Sequence, residues 1–448
     1  MHIDFLLEIF RNNKNKTSII RDDKEYSYQW LLNKIDYWNQ YLQKNNIPGG
    51  KVAAIQGDFS PASISFLLAL ISNENIIVPL TYSSKSDVEN KLKIAGAEHF
   101  FLIDKDDEVT LTKSDYSKEH NFYKKLNEDQ HPGLVLFTSG TSGVPKAAVH
   151  NFSKLLEKFK TPRKSFRTVN FLLFDHWGGL NTLFHTLSNA GVVLSLHDRS
   201  PEKVCSFIEK HKIELLPASP TFLNLLLISE AYKNYDLSSL KLITYGTEPM
   251  PESTLKRVKE VFPDVRLQQT YGLIELGVLR SKSKSDDSLW VKIGGEGFET
   301  RVVDGILQIK ANSAMLGYLN APSPFTEDGY FITGDAVEVD GDYFKILGRK
   351  SELINVGGEK VYPAEVENVI LEFENVEDVT VFSEKNPITG NIVCAAIRVK
   401  NITGEKEFIK SLKKYCRSKL ESFKVPVKIK ITNELQHSER FKKKRVIS

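Results

Sequence analysis

Residues 134–149 read LVLFTSGTSGVPKAAV. The apolar residues 135–137 predict a buried strand, whereas the small residues 138–143 predict a loop, because they cannot fill a core. Lys146 adds one positive charge at the far end of this loop. Unshielded backbone N–H groups, small hydroxyls and a cation together suit an anion with several oxygens, such as the phosphates of a nucleotide.

The spacing of this loop differs from the Walker pattern, which requires G-x-x-x-x-G-K followed by Ser or Thr. Here Gly140 and Gly143 are three residues apart, and Ala147 follows Lys146. Clusters of Ser, Thr and Gly between periodic segments are often plain loops. The stretch by itself therefore leaves a phosphate site and an ordinary loop both open.

The composition is that of a globular protein, with 41% hydrophobic and 26% charged residues among 448, enough for about two to four domains. A net charge of +3 is too small to indicate a nucleic-acid partner. Cys205, Cys394 and Cys416 show no paired spacing, which argues against a zinc or disulfide framework. The first ten residues lack the basic region of a secretory signal, and the apolar run 64–71 is too short to span a bilayer. We therefore expect a cytoplasmic protein without a transmembrane segment.

Strand-like and helix-like segments alternate along much of the chain. Residues 242–246 and 265–272 resemble strands, and residues 250–262 between them resemble a helix. Such units predict a mostly parallel sheet covered by helices, with ligands beyond the carboxyl ends of the strands. The loops that follow residues 138 and 245 would then face one crevice.

The pattern changes near the C-terminus. Asp340-Gly341 lies between alternating residues and predicts a hairpin over 337–347. Two helical patterns, two paired strands and a final alternating run follow it, at 361–373, 406–420, 376–382, 391–399 and 425–431. The prediction is an α/β protein with a large N-terminal domain at 1–348 and a small α+β domain at 349–448, joined by a hinge.

Five motifs in order resemble those of the adenylate-forming ligase superfamily, which comprises acyl- and aryl-CoA synthetases, adenylation domains of peptide synthetases and beetle luciferases. TSGTSGVPK at 138–146 resembles the family's phosphate loop, and YGLIE at 271–275 resembles its YGxTE. TGD at 333–335 resembles the ribose-binding element, and residues 348–367 resemble the interdomain hinge. LQHSERFKKKR at 435–445 resembles the C-terminal LPxTxxGKxxR.

The resemblance implies a reaction. The carboxylate of an acid would attack the α-phosphate of ATP, giving an acyl-adenylate and pyrophosphate, and a thiol would then displace AMP. Catalysis of such an anionic transition state is mostly positioning and charge stabilisation. The implied cofactors are ATP, Mg²⁺ and a thiol acceptor, which is CoA or the phosphopantetheine of an acyl carrier protein; the implied partner is a small carboxylic acid.

The resemblance also implies a nucleotide site. The phosphate loop would bind the β- and γ-phosphates, Tyr271 and its neighbour Gly272 would meet adenine, Asp335 would accept bonds from the ribose hydroxyls, and Arg349 would reach ribose or phosphate. Glu275 would bind Mg²⁺. The implied nucleotide-binding residues are Thr138, Ser139, Gly140, Thr141, Ser142, Gly143, Lys146, Gly246, Thr247, Glu248, Tyr271, Gly272, Asp335 and Arg349.

Lys442 takes the place of the family's catalytic lysine, which would bridge the carboxylate and the α-phosphate. Ile274 stands where the family has threonine, and Phe441 where it has glycine, which leaves open whether Lys442 or Lys443 reaches the site. Ser351 occupies the hinge position, about which the small domain would rotate between the two half-reactions. A solvated basic tail is the plain alternative for this segment.

The acid would bind along residues 171–184. HWGGL at 176–180 resembles the FHxGGL stretch of acyl- and aryl-CoA ligases, so His176 would act catalytically as the gate, with Trp177 and Gly178 shaping the pocket. Asp175 also resembles the aspartate of the FDxS element of amino-acid adenylation domains. A stand-alone amino-acid adenylating enzyme and a catalytically degenerate nucleotide-binding relative therefore stay as alternatives.

Overall fold

A computed structural model describes residues 2–138, 144–402, 404–433 and 443. Within these residues the strands, in chain order, are β1 Thr17–Arg21, β2 Lys24–Ser27, β3 Val52–Gln56, β4 Ile76–Leu80, β5 His99–Ile103, β6 Val109–Lys113, β7 Gly133–Thr138, β8 Lys146–Asn151, β9 Arg167–Val169, β10 Val192–Ser195, β11 Leu215–Ala218, β12 Leu242–Tyr245, β13 Arg266–Gln269, β14 Gly272–Leu273, β15 Gly277–Val278, β16 Ser281–Ser283, β17 Trp290–Ile293, β18 Phe298–Val303, β19 Ile306–Ala311, β20 Gly317–Tyr318, β21 Phe331–Asp340, β22 Tyr343–Arg349, β23 Ile354–Val356, β24 Glu359–Val361, β25 Val376–Asn386, β26 Gly390–Val399 and β27 Lys428–Ile431.

The α-helices of the same residues connect or cover these strands. They are α1 Asp4–Asn12, α2 Tyr28–Lys44, α3 Pro61–Ser72, α4 Lys85–Ala95, α5 Asn121–Glu128, α6 Phe152–Leu156, α7 Trp177–Leu187, α8 Pro201–His211, α9 Pro220–Ser229, α10 Glu252–Val261, α11 Pro363–Leu371 and α12 Glu405–Lys419. Short 3-10 turns occur at Glu157–Lys160, Ala231–Lys233, Lys350–Glu352 and Ser422–Lys424.

Two seven-stranded sheets form the greater part of the fold. The first has the order β13-β12-β11-β9-β10-β1-β2 and is parallel except at its β1–β2 edge. The second has the order β20-β8-β7-β4-β3-β5-β6, with a parallel centre and antiparallel strands at both sides. The predicted helix-covered, mostly parallel sheets are therefore confirmed, and the strand–helix–strand unit over 242–272 appears as β12, α10 and β13.

Helix α3 shows how the core forms between these sheets. It is apolar on all sides, and such a helix is stable only when it is buried. Ser60 caps its first turn, and the Ser60 and Ser63 side chains satisfy each other's backbone N–H groups. Trp38 of α2 packs against it and donates its indole N–H to the Ser65 hydroxyl at 3.0 Å. The Ser60, Ser63 and Ser65 hydroxyls and the Trp38 indole are thereby paired, as burial requires.

A third, antiparallel sheet has the order β16-β17-β22-β21-β19-β18. Its β21–β22 hairpin turns at Gly341, whose φ of +58° suits glycine. The hairpin predicted from Asp340-Gly341 is confirmed. The hairpin also sets Asp335 opposite Arg349 across two neighbouring strands.

The C-terminal unit contains β25, β26 and β27, with β25–β26 antiparallel and β26–β27 parallel. Val366 and Ile370 of α11, with Leu412 of α12, pack on Val379 and Ile397 of this sheet. The predicted helices and paired strands after residue 360 are confirmed, and so is the small α+β character of this unit. None of the helices in the described residues is both long and apolar enough to cross a bilayer.

Candidate nucleotide and acid site

The loop between β7 and β8 is the predicted phosphate loop. Thr138 ends β7 and is paired with Lys146, which begins β8. The predicted residues between them, Ser139, Gly140, Thr141, Ser142 and Gly143, lie outside the described residues. The two ends of the loop are therefore positioned by the antiparallel β7–β8 pair of the second sheet.

Tyr318 connects this loop to Glu275. The Lys146 ammonium lies 5.5 Å from the centre of the Tyr318 ring, and the Tyr318 hydroxyl donates to Glu275 Oε1 at 2.6 Å. Asn320 holds the end of the loop, since its amide donates to the Pro145 carbonyl and its Oδ1 accepts from the Ala147 N–H. Sequence reasoning missed Tyr318 and Asn320, because nothing in their stretch GYLN at 317–320 separates Tyr318 from a core aromatic or Asn320 from an ordinary loop residue.

Glu275 is the predicted Mg²⁺ ligand. Among the residues that the structure describes, no group of three or more His, Cys, Asp or Glu side chains could hold a metal ion. Mg²⁺ is commonly bound by one or two carboxylates together with substrate phosphates and waters. A single carboxylate beside a phosphate loop therefore fits this kind of ion, whereas it would not fit a metal bound by protein side chains alone.

Asp335 is a buried carboxylate between two polar partners, the buried Tyr271 and the exposed Arg349. Its Oδ2 accepts a hydrogen bond of 2.6 Å from the Tyr271 hydroxyl, and its Oδ1 lies 3.2 Å from Arg349 Nε. Burial raises the pKa of Asp335, while the Arg349 charge and the Tyr271 hydrogen bond act in the opposite direction. Burial and the neighbouring Asp335 raise the pKa of Tyr271 well above its usual value, so the phenol stays protonated as the donor.

The structure thus brings together three residues that the sequence places in separate motifs. Gly334, directly before Asp335, has a φ of +74°, and a Cβ built on it would meet no other atom within 4 Å. The backbone position directly before Asp335 is therefore open. A buried carboxylate that already accepts from one hydroxyl has further lone pairs, which suit the hydroxyl groups of a ligand.

The loop after β12 contains Gly246, Thr247 and Glu248. A Cβ on Gly246 would lie 2.6 Å from the Thr270 carbonyl oxygen, so only glycine fits against that backbone. Thr247 has a φ of +76°, a backbone conformation that residues other than glycine rarely adopt. This strained loop runs beside Thr270 and so lies next to Tyr271 in the chain. The shared crevice of this loop and the loop after residue 138 stays a prediction.

Glu248 has partners that sequence reasoning did not foresee. Its Oε1 accepts from the Thr221 N–H at 2.8 Å and from the Thr221 hydroxyl, at the first turn of α9. Its Oε2 accepts from the backbone N–H of Lys443 at 3.3 Å. The Glu248 carboxylate thus joins the large domain to the C-terminal segment. Its place at the nucleotide stays a prediction.

Lys443 is held by the C-terminal unit. Its ammonium donates to the Val379 carbonyl at 2.7 Å and lies 3.6 Å from Glu367 and 3.8 Å from Asp378. The side chain is 11% exposed. Lys443 is therefore occupied by structural partners, which favours Lys442 as the reactive lysine; Lys442 itself lies outside the described residues.

The predicted acid-binding residues lie at the N-terminus of α7. His176 is the N-cap, and its Nδ1 accepts from the Gly178 N–H at 3.0 Å, which satisfies one of the free donors of the first turn. Asp175 is 7% exposed and accepts from the Thr81 hydroxyl at 3.0 Å. Trp177 is buried at the first position of the helix. His176 thus has a structural role here in addition to any role as a gate.

The predicted hinge residue, Ser351, lies in the exposed 3-10 turn Lys350–Glu352 directly after Arg349. The turn connects the third sheet to the C-terminal unit. No residue of this turn is buried.

Two family profiles of known proteins match this chain. The family profile described as AMP-binding enzyme matches residues 7–319, and the profile described as AMP-binding enzyme C-terminal domain matches residues 365–442. The chain belongs to the AMP-binding enzyme family. The resemblance derived from the five motifs is confirmed.

Relatives of this AMP-binding enzyme include acyl-CoA synthetase 7 of Caenorhabditis elegans, which is 30% identical over 67% of the chain and 62% of its own length. Indoleacetate–CoA ligase of Aromatoleum aromaticum is 25% identical over 85% of each chain. The chain thus spans less than two thirds of the length of the first of these relatives. Among solved structures, the anthranilate CoA ligase AuaEII in complex with anthranoyl-AMP superposes with a TM-score of 0.82 at 19% identity, covering 99% of this chain and 95% of its own.

Proposed function

We propose that this AMP-binding enzyme uses ATP to convert a carboxylic acid into an acyl-adenylate and then transfers the acyl group to a thiol. The observation that carries the proposal is the buried Asp335, which stands in the ribose-binding motif and is held by Tyr271 and Arg349. The relatives support it, because their names describe CoA ligases of acyl and aryl acids.

In the first half-reaction, an oxygen of the acid attacks the α-phosphorus of ATP, and the bond from that phosphorus to the bridging oxygen breaks. Pyrophosphate leaves with the bonding electrons. Asp335 would accept bonds from the ribose, Tyr271 and the 246–247 backbone would flank adenine, and Lys146 with the 138–143 loop would bind the outer phosphates. A bound Mg²⁺ would neutralise phosphate charge, and Glu275, oriented by Tyr318, would hold it.

Lys442 would approach both the carboxylate and the α-phosphate, so that its charge offsets the negative charge that develops between them. In the second half-reaction, the thiolate sulfur attacks the acyl carbon, the bond to the phosphate oxygen breaks, and AMP leaves. We assign residues 1–348 to ATP and acid binding and residues 349–448 to the mobile domain, with Ser351 in the hinge.

The proposal is tested by exchange of labelled pyrophosphate into ATP with a panel of aryl, fatty, hydroxy and amino acids. We expect exchange that depends on one class of acid and that falls by two or more orders of magnitude, on the order of 10²–10³-fold, in Lys442→Ala. Lys444→Ala, with the same charge removed two residues away, is the matched control and should retain exchange.

Release of AMP is then measured with CoA and with a phosphopantetheine-bearing carrier protein as separate acceptors. Nucleotide binding in calorimetry without exchange for any acid would contradict the proposal and would instead indicate a binding protein without turnover. Exchange with amino acids alone would favour pairing of Asp175 with a substrate ammonium group.

A further inference from the structure

Lys158 lies where helix α7 meets strand β15, which follows Glu275 in the chain. It belongs to the 3-10 turn Glu157–Lys160, and its ammonium donates to the Val278 carbonyl at 2.7 Å and to the Asn181 side-chain oxygen. Val278 follows Glu275 by three residues, and Asn181 lies on α7. The lysine therefore connects α7, along which the acid is expected to bind, to β15.

The depth of Lys158 follows from the geometry of α7. His176 caps this helix, and Asn181 is five residues further along it. At 1.5 Å per residue, that separation is about 7.5 Å along the helix axis. An acid whose reacting carboxylate lies near the N-terminus of α7 would therefore bring its distal end, about five or six bonds away, close to the Lys158 ammonium.

The surroundings of Lys158 are positively charged. Among the described residues no carboxylate lies within ion-pair distance of it, and its two hydrogen-bond acceptors are both neutral. Arg163 and Arg280 are exposed nearby, and His185 of α7 faces the same region. We name Lys158, Arg163 and Arg280 the distal cation cluster, beside which His185 lies.

Electrostatics make this cluster incomplete as it stands. Burial, with the charges of Arg163 and Arg280, lowers the pKa of Lys158 from 10.5 to about 7. Burial, with the charges of Arg163 and Lys158, lowers the pKa of His185 to about 4, so that ring is neutral at pH 7. A half-buried cation beside further cations is costly unless an anion accompanies it, and one N–H of the Lys158 ammonium is left for such an anion.

The plain alternative is that Lys158 is a structural donor that links Asn181 to Val278. That role requires only hydrogen bonds, which a neutral amide side chain would supply without the cost of a half-buried charge. That role also gives no reason why Lys158, Arg163 and Arg280 lie near one another. Among the described residues, no carboxylate is paired with Lys158. The variants below distinguish a structural role from anion binding.

We propose that the distal cation cluster, through Lys158 and Asn181, binds a second, negatively charged group on the substrate, so that the acid is a dicarboxylic acid or carries an equivalent distal anion. This inference rests on the proposed acid activation and specifies its substrate class. One carboxylate reacts with ATP, and the other pairs with Lys158. The flat Trp177 ring, whose centre lies 6.0 Å from the Lys158 ammonium, would form an adjoining apolar wall.

The test compares matched acids that differ only in the distal group. The pairs are adipate with hexanoate, terephthalate with 4-methylbenzoate, and 2-succinylbenzoate with 4-oxo-4-phenylbutanoate. For each pair, kcat/KM of pyrophosphate exchange is measured in the wild type, in Lys158→Met and in Lys158→Arg. Lys160→Met is the control, because Lys160 is in the same turn but exposed and paired with Glu157.

We expect the wild type to prefer the diacid of at least one pair by about 10- to 100-fold, as a charge-assisted hydrogen bond would provide. Lys158→Met should abolish that preference, Lys158→Arg should restore part of it, and Lys160→Met should leave it unchanged. Because the distal anion raises the pKa of Lys158, binding of the diacid at pH 8 should take up a proton in the wild type and not in Lys158→Met. Calorimetry in two buffers of different ionisation enthalpy measures this uptake.

Three results would overturn the inference. A wild-type preference for the monoacid in every pair would contradict it, and so would an equal loss for both acids of a pair in Lys158→Met, which indicates the structural role. If no acid of any kind supports exchange, the proposed function fails and the inference fails with it. The first two results leave acid activation intact, so the two failures are distinguishable.

Discussion

The substitution Tyr271→Phe removes one hydroxyl from the centre of the proposed ribose site and leaves the ring in place. Tyr271 and Asp335 are 7% and 6% exposed, and their hydrogen bond is 2.6 Å long. A hydrogen bond to a buried charged group contributes about 1.5–3 kcal/mol. We therefore expect the free energy of unfolding to fall by about that amount near neutral pH.

The fall in the free energy of unfolding caused by Tyr271→Phe should depend on pH. Burial already raises the pKa of Asp335, and the Tyr271 hydrogen bond opposes that rise. A carboxyl whose pKa is raised in the folded state loses stability as pH increases through that pKa. Without the phenol the pKa rises further, so the difference between variant and wild type should be larger at pH 7.5 than at pH 5.

Urea unfolding at these two pH values measures the prediction. Tyr330→Phe is the matched control, because the Tyr330 hydroxyl donates to the Glu299 carboxylate at 2.8 Å on the surface, and exposed pairs of this kind contribute about 0–1 kcal/mol. A difference for Tyr271→Phe no greater than that of the control, or one that shrinks as pH rises, would refute the reasoning about Asp335.

Further predictions concern the contact between Glu248 and Lys443, helix α7 and Lys158. Glu248→Ala removes the acceptor for the Lys443 N–H; we expect pyrophosphate exchange to fall about tenfold, and an unchanged exchange rate would contradict this. Gly179→Ala would place a methyl group 2.3 Å from the Leu173 carbonyl oxygen, so the free energy of unfolding should fall by about 1–3 kcal/mol; an unchanged urea midpoint would be the contrary result. The pKa of Lys158 is lowered from 10.5 to about 7 in the folded state, so the unfolded state binds more protons between these pH values and stability should rise with pH across them. In Lys158→Met, the stability measured by thermal unfolding should rise less steeply with pH. An unaltered dependence of stability on pH would show that the pKa of Lys158 is not lowered in the folded state.

Local patterns allowed several elements to be predicted from the sequence. The β21–β22 hairpin follows from Asp340-Gly341, since Gly341 readily adopts the φ that its turn requires. Helices α11 and α12 follow from apolar spacing, because one face of each must be buried. The motifs supplied the family, because they combine residue types and order that ordinary loops do not share.

Other features were inaccessible to sequence reasoning, because they depend on residues distant in the chain. Tyr318 had no local signal that separated it from a core aromatic, yet it orients Glu275 from 43 residues away. Glu248 lies in a predicted nucleotide loop, but no local pattern showed that its carboxylate is bound by Thr221 and Lys443. The partners of Lys443, Glu367 and Asp378, were likewise beyond sequence reasoning, because they lie 76 and 65 residues away from it in the chain.

The sequence by itself determined the family, the order of the elements and the set of polar residues from which a nucleotide site would be built. Propensity, turn chemistry and periodicity act over a few residues, and so they are legible in the chain. Only the tertiary structure decided which of those residues share a charge or a hydrogen bond, as Asp335 does with Tyr271 and Arg349. Such pairing arises when strands and helices from different parts of the chain pack together, and burial then makes each unpaired polar group costly enough to fix its partner.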